Sequence, residues 1–316
     1  MSSSRRPEPS RPGPAGPRER GPLASYHRAL AFLDGGDEVA ARRAVEEGLA
    51  RSWTPQCAPV RECLDDLGAQ LDGDAALRRF AARTPGPRGW IARPGALADE
   101  VMGLGRAHLM EIAIEEVAML LPDPVMGRLI DGLRVAGGVA CDDLLVACGT
   151  VLGGRLACHA RAAAGGARAS SPAARALAYP RLAAAWSTPV DATSRQQQVI
   201  IAVARDGGRV APLLCLIDDR DSGPVLRDGF FLPDMVPGRL DREVLAPMAA
   251  AGMRAGPSGA ADALERVSTA LHAALSAGGR IPSEAHQSVI TRMRRLYAAC
   301  GGSCTDPSAG SGPHVG

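Results

Sequence analysis

From residue 197 the sequence changes character. QVIIAVA (198–204) and RVAPLLCLID (209–218) are β-branched, almost continuously apolar runs, joined by Arg205-Asp206-Gly207-Gly208. An Asp-Gly step between two such runs predicts a β-hairpin. Runs this apolar at successive positions predict strands covered on both faces by neighbouring helices. Pro212 has no N–H to give to a ladder, which predicts an edge or a bulge at that point of the second strand. Outside this segment the apolar residues recur mostly at helical spacing. The predicted class is therefore α-rich α+β, a helical N-terminal part followed by a small β-hairpin-containing sheet flanked by helices.

The rest of the chain divides by composition. Residues 1–22, almost all Pro, Arg, Gly and Ser, predict a disordered arm, and 300–316 predict a disordered tail. Between them lie a helical N-terminal region (23–90), a second helical region (96–185) and an α+β region with the hairpin (186–299). In the first, 24–51 reads as a helical hairpin turned at Gly35-Gly36, with Asp37 as the cap of its second helix. Two separate helices are predicted at 58–71 and 74–83. A Pro/Gly-rich linker around 84–95 marks a boundary. A long helix over 97–121 is ended by Pro122, and helices at 124–135 and 141–163 follow. Residues 162–173 read as a loop, and a helix over 173–186 is broken or kinked by Pro180. After the β-hairpin comes an Asp-rich loop, then helices at 240–252, 260–277 and 283–299. The last carries a stripe of Val289, Met293, Leu296 and Cys300.

Composition removes several chemistries. All 36 basic residues are arginine, and there is no Asn. That excludes a lysine Schiff base, a Walker lysine and N-glycosylation within this sequence. With 46% apolar residues but only 3% aromatics, the core must be filled by aliphatic side chains. The eight cysteines are scattered without a disulfide or CxxC spacing, so most read as small buried hydrophobes. No run is apolar for long enough to span a bilayer, and no leader pattern opens the sequence, so no membrane contact and a cytoplasmic location are expected. A net charge of +2 is far from the balance of a dedicated nucleic-acid-binding domain.

Three groups of residues carry possible chemistry. Asp218, Asp219 and Asp221 follow the second strand, and carboxylates clustered at a strand end can hold a divalent cation for hydrolysis or phosphoryl transfer. Arg5 and Arg6 in the N-terminal arm, with Arg292, Arg294 and Arg295 on the last helix, form basic faces able to meet phosphates. His108, Glu111 and Glu115 share one face of the helix over 97–121. They could contribute to a bundle metal site, but their plain reading is the polar stripe of an amphipathic helix. No nucleophile elbow or dinucleotide loop is present, and no cofactor is expected.

The hairpin 24–51 resembles a single tetratricopeptide repeat, with Ala29, Phe32, Gly36, Ala41 and Val45 at the small, bulky and turn positions, which implies helical-hairpin packing. Residues 36–68 are similar to the helical cap of cobalamin-binding modules, whose Asp-x-His-x-x-Gly grip on the cofactor is absent here. Trp186, the hairpin, Leu216-Ile217-Asp218 and Arg227-Asp228-Gly229-Phe230 resemble a pattern in uncharacterised actinobacterial proteins, a resemblance that implies no activity.

The expected function is that of a non-enzymatic adaptor or regulatory protein acting through protein–protein contacts. The alternatives are a metal-dependent hydrolase or phosphotransferase using Asp218–Asp221, and a nucleic-acid-associated regulator using the arginine-rich arm. The last makes a direct prediction. Binding to nucleic acid weakens steeply as salt is raised and disappears on deletion of residues 1–22; binding that ignores salt, or none, excludes it.

Overall fold

The computed structural model describes residues 22–51, 54–83, 86–276, 290, 292, 293 and 295–297. The predicted arm and tail lie outside these residues. The chain forms two compact units, Met1–Leu71 and Asp72–Gly316, dividing inside one helix.

In the first unit, α1 (Pro22–Asp34) and α2 (Glu38–Leu49) form the expected hairpin. Gly36 takes φ +75° at the turn, and Asp37 caps α2 by accepting from the Ala40 amide at 2.9 Å. The start of α3 (Ala58–Arg83) packs against α2, Leu64 at Gly48 and Gly68 at Val45. Gly48 is the meeting point: a Cβ there would lie 2.8 Å from Leu64 Cδ1 and 3.0 Å from Ser25 Cβ. Tyr26, Ala41, Val45, Cys63 and Leu67 are buried in this unit.

Where two helices are predicted over 58–83 there is one. Gly73 stays helical instead of stopping the chain, and the side chain of Leu109 occupies the space its Cβ would take. The second unit continues with α4 (Gly86–Ala92), α5 (Pro94–Met102), α6 (Ala107–Leu120), α7 (Asp123–Ala136), α8 (Val139–Val151), α9 (Gly154–Ala164) and α10 (Pro172–Ala178). The Pro/Gly-rich 84–95 thus contains a helix, anchored by the buried Trp90. The long predicted helices each break at glycine. Gly105 (φ +69°) separates α5 from α6, and Gly154 (φ +53°) separates α8 from α9. Their inward faces form one aliphatic core around Met110, Ile114, Leu129, Ile130, Leu145 and Cys148.

The sheet has five antiparallel strands, β1 (Arg181–Ser187), β2 (Gln196–Ala204), β3 (Val210–Arg220), β4 (Gly223–Phe231) and β5 (Gly256–Ser258), in the order β4-β3-β2-β1-β5. The predicted hairpin is its centre, with Val199 facing Cys215 and Ile201 facing Leu213. The helix predicted over 173–186 ends before Pro180, and β1 takes the rest. Both faces are covered, as the apolar runs require. Val199, Ile201 and Val203 pack under α13 (Ala260–Ser276) with Ile290, Met293 and Leu296. Ile200 and Ala202 pack with Leu240, Val244 and Met248. These last three come from α11 (Pro237–Leu240), a π-helical turn (Asp241–Leu245) and α12 (Ala246–Ala250). At Gly229 the absent side chain leaves room for Met293, whose Cε lies 2.7 Å from the position a Cβ would take.

Pro212 sits inside β3, between two strands. Its carbonyl accepts from Leu232 on the β4 side, and the N–H and C=O of a strand residue point the same way. The missing N–H is thus the return bond to Leu232, just past the last β3–β4 pair, Leu213 with Phe231, and the ladder to β2 is left intact.

Asp143 on α8 holds the loop after α9 to the helical layer. Its buried carboxylate accepts from the Ser170 amide at 2.6 Å, the Ser171 amide at 2.8 Å and the Ser170 hydroxyl. Ser171 in turn caps α10 through the Ala174 amide. Burial pushes the Asp143 carboxyl up, but these donors outweigh it and hold it below the ordinary carboxylate range. The stabilisation is thus complete above the unfolded carboxylate value of about 3.9 and is lost as pH falls through the depressed folded value. Asp143→Ala is expected to cost about 2–3 kcal/mol at neutral pH in a denaturant titration, with a smaller penalty at acid pH, where the parent has lost the same bonds.

Candidate functional site

The polar stripe of α6 does not face water. Ala113, Ile114 and Val117 pack into the helical core, and on the opposite side His108 and Glu111 are only 7% and 4% exposed. This corrects the reading of the stripe as the wet face of an amphipathic helix. The partners come from beyond residue 200. Arg205, immediately after β2, reaches Glu111 Oε2 at 3.3 Å with one terminal nitrogen and Asp234 Oδ1 at 3.4 Å with Nε. Arg292 grips Glu115 with two bonds, Nε to Oε1 at 3.2 Å and a terminal nitrogen to Oε2 at 2.7 Å. Arg295 bridges Glu111 and Glu115 at 3.5 and 3.4 Å.

Asp234 ties the cluster to the start of α6. That helix has no side-chain cap from its own N-terminal residue. Instead the Asp234 carboxylate accepts from the His108 amide at 3.4 Å, and the Arg106 guanidinium donates to the Asp234 carbonyl at 2.7 Å. An anion there also meets the positive end of the helix dipole. The His108 ring brings Nδ1 to 3.3 Å from Asp234 Oδ2, a distance for charge attraction but off the line of a hydrogen bond. Burial would raise the Asp234 carboxyl; His108, Arg205 and Arg106 outweigh it and hold it below the usual range.

The two arginines of the last helix respond differently to the same burial. At Arg292 the charges of Glu111 and Glu115 prevail over desolvation and raise its pKa. At Arg295 desolvation prevails, with the charge of Arg292 adding to it, and its pKa is lowered. A narrow open cleft lies beside the cluster. Glu111, Arg205, Arg292 and Arg295 face it, together with Thr150, Val151, Leu177, Val203 and Phe231. A larger groove of about 420 Å³ lies along the β1–β2 loop, past Asp191, Gln196, Gln198 and Arg254. The Asp191 carboxylate there is engaged by its own turn, accepting from the Thr193 and Ser194 amides.

The residues singled out from the sequence are dispersed. Asp218 meets Arg227 Nε at 3.3 Å, Asp219 meets Arg266 at 3.0 Å, and Asp221 meets Arg195 at 3.4 Å. Asp218 and Asp219 are successive strand residues and point to opposite faces of the sheet. Among the described residues no group of three or more His, Cys, Asp or Glu side chains comes together as a metal site. Of the arginines assigned to nucleic acid, Arg292 and Arg295 are mostly buried against glutamates rather than forming a solvated basic face. Arg5, Arg6 and Arg294 lie outside the described residues. Cys148 and Cys215 behave as buried hydrophobes, with the Cys148 thiol pushed up to about 12 by burial. No described helix is long and apolar enough to cross a membrane.

Sequence reasoning placed Glu111 and Glu115 on one helix face but missed Arg205 and Asp234 as their partners. The available signal was a polar stripe on a helix whose other side is wholly aliphatic, together with an arginine at the end of a strand predicted to be buried. Comparison with protein-family models, with curated proteins and with solved structures finds no match to the chain.

Removing one partner of a buried pair strands the others. Glu111→Gln leaves Arg205, Arg292 and Arg295 with one carboxylate fewer and is expected to cost about 3–5 kcal/mol in chemical denaturation. Asp221→Ser, at a side chain that is 99% exposed, should leave the midpoint where it is.

Proposed function

We propose that the protein is a non-enzymatic adaptor or regulatory protein of the cytoplasm that works by contact with another protein. The observation that supports this reading is the corner between α7 and α8. Val135 and Val139 stand 80% and 69% exposed on either side of Gly137-Gly138. The two glycines, at φ +65° and +92°, hold a turn that a side chain would strain. The same helices bury Met126, Leu129, Ile130 and Leu133, and Cys141, Leu144, Leu145 and Cys148, so their core face is already complete without the valines. An apolar pair left uncovered on a firmly built corner is open to cover by a partner surface. Elsewhere the acids that could do chemistry are engaged by arginines, which favours a structural use of charge over a catalytic one.

The test is capture of the tagged full chain with its host lysate, with and without nuclease, comparing the parent with Val135→Asp/Val139→Asp. Burying two valines contributes roughly 3 kcal/mol, so the double variant should lose about 100-fold in affinity for a stoichiometric protein that survives nuclease. Equal capture by parent and variant, or recovery that nuclease abolishes, would sink the proposal; the second outcome points to nucleic acid.

A further inference from the structure

On one face of the sheet the apolar cover gives way to a groove. Ile200 and Ala202 of β2 pack there with Leu240, Val244 and Met248. The next two residues of β2 on that face, Gln198 and Gln196, line the groove beside the β1–β2 loop instead. Opposite them on β3 stand Leu216 and Asp218. One wall is the β1–β2 loop with Asp191, and the other is the segment between α12 and β5, with Met253 and Arg254. The volume of about 420 Å³ falls within the roughly 300–1,000 Å³ of small-ligand sites.

The acceptors of this groove are short of donors. Gln196 turns Nε2 to Asp218 Oδ1 at 3.1 Å, and Gln198 turns Nε2 to Met253 Sδ at 3.1 Å. A carboxylate and a thioether can only accept, so in both amides the nitrogen must face that partner. The two carbonyl oxygens have no partner among the described residues. Asp191 takes all its bonds on Oδ1, from the Thr193 amide at 3.0 Å, the Ser194 amide at 2.6 Å and the Ser194 hydroxyl at 2.9 Å. Its Oδ2 accepts none among the described residues. The Ser194 and Thr193 donors hold the carboxyl below the usual range, so it is charged at neutral pH. Three acceptors without donors, one of them charged, thus line one groove. A primary ammonium carries three N–H donors and one positive charge.

Arg254 supplies the opposite charge, and it makes no hydrogen bond or ion pair among the described residues. The groove also keeps apolar surface uncovered. Leu216 is half-buried and belongs to neither apolar core of the sheet, and Met253 is 40% exposed. Acceptors for an ammonium, a guanidinium for a carboxylate and a small apolar surface together match one class of molecule.

We infer that this groove binds a free amino acid with an aliphatic side chain, its ammonium on Asp191 and the Gln196 and Gln198 carbonyls, its carboxylate on Arg254, its side chain against Leu216 and Met253. The site is independent of the α7–α8 corner and of the reading built on it.

Isothermal titration of the full chain with L-leucine at neutral pH and fixed ionic strength tests the inference. Isoamylamine lacks the carboxylate, isocaproate lacks the ammonium and glycine lacks the tail, and these are the controls. Leucine is expected to bind at one site with a Kd below about 1 mM, and each control at least ~10-fold more weakly. Asp191→Asn keeps an oxygen for the turn amides but removes the charge, and Arg254→Gln removes the charge on the other wall. Each should weaken leucine binding by about 10-fold, the loss of one charged bond. Both side chains are exposed, so neither change reaches a core. Circular dichroism establishes that each variant is folded, and if Asp191→Asn disturbs its turn, Arg254→Gln carries the comparison. No saturable heat with leucine overturns the inference. So does isoamylamine or isocaproate binding as well as leucine, which reduces the groove to a patch for a single charge, or glycine binding as well, which removes the aliphatic side chain from recognition. Unchanged binding in either folded variant places leucine elsewhere and overturns it too.

Discussion

The pairing of Glu111 with Arg205 joins the two halves of the larger unit. It links a helix whose other side belongs to the aliphatic bundle to the end of the strand at the centre of the sheet. Charges buried this deeply gain little over a well-packed apolar seam, but once built in, none of them can be removed without stranding its partner. Asp234 reinforces that link by capping α6 from far along the chain, and Arg292 with Arg295 closes it from the last helical stretch. The helical layer and the sheet have separate apolar cores, and the ion pairs run from one to the other.

That division explains what could be read from the sequence. The hairpin at 198–218, its cover on both faces, the capped helical hairpin at 24–51 and the helical character of the remainder follow from local periodicity and turn chemistry. They are seen in the pairing of Val199 with Cys215 and in the Asp37 cap. Breaks between helices were less legible. Gly73 continues a helix while Gly105 and Gly154 take positive φ where helices are interrupted, and a lone glycine in the sequence does not say which it will do. β1, β4 and β5 were missed for a related reason. Arg181–Ser187 is alanine-rich, Gly223–Phe231 carries Gly, Pro and Asp, and Gly256–Ser258 is three residues long. β1 and β4 become strands because β2 and β3 offer them an edge, and β5 because β1 does.

The candidate site was half legible. A helix with polar residues at 108, 111 and 115 predicts a shared face, but whether that face meets water depends on arginines roughly a hundred and nearly two hundred positions away. Arginine is a residue that the sequence invites one to place outside. Here the absence of lysine matters, because every basic position offers a planar fork able to serve two carboxylates, as Arg295 does. The acidic run at 218–221 shows the converse: adjacency in sequence became separation in space once the strand continued through it.

Pro212 also marks where the β3–β4 pairing stops. A strand residue turned toward its neighbour normally exchanges two bonds with the residue opposite, and here only the Leu232 amide has a partner, because the ring nitrogen has no hydrogen to return. The last pair is Leu213 with Phe231, and three residues further on Asp234 is already at the start of α6. The proline thus stands where the edge strand hands its chain over to the ion cluster.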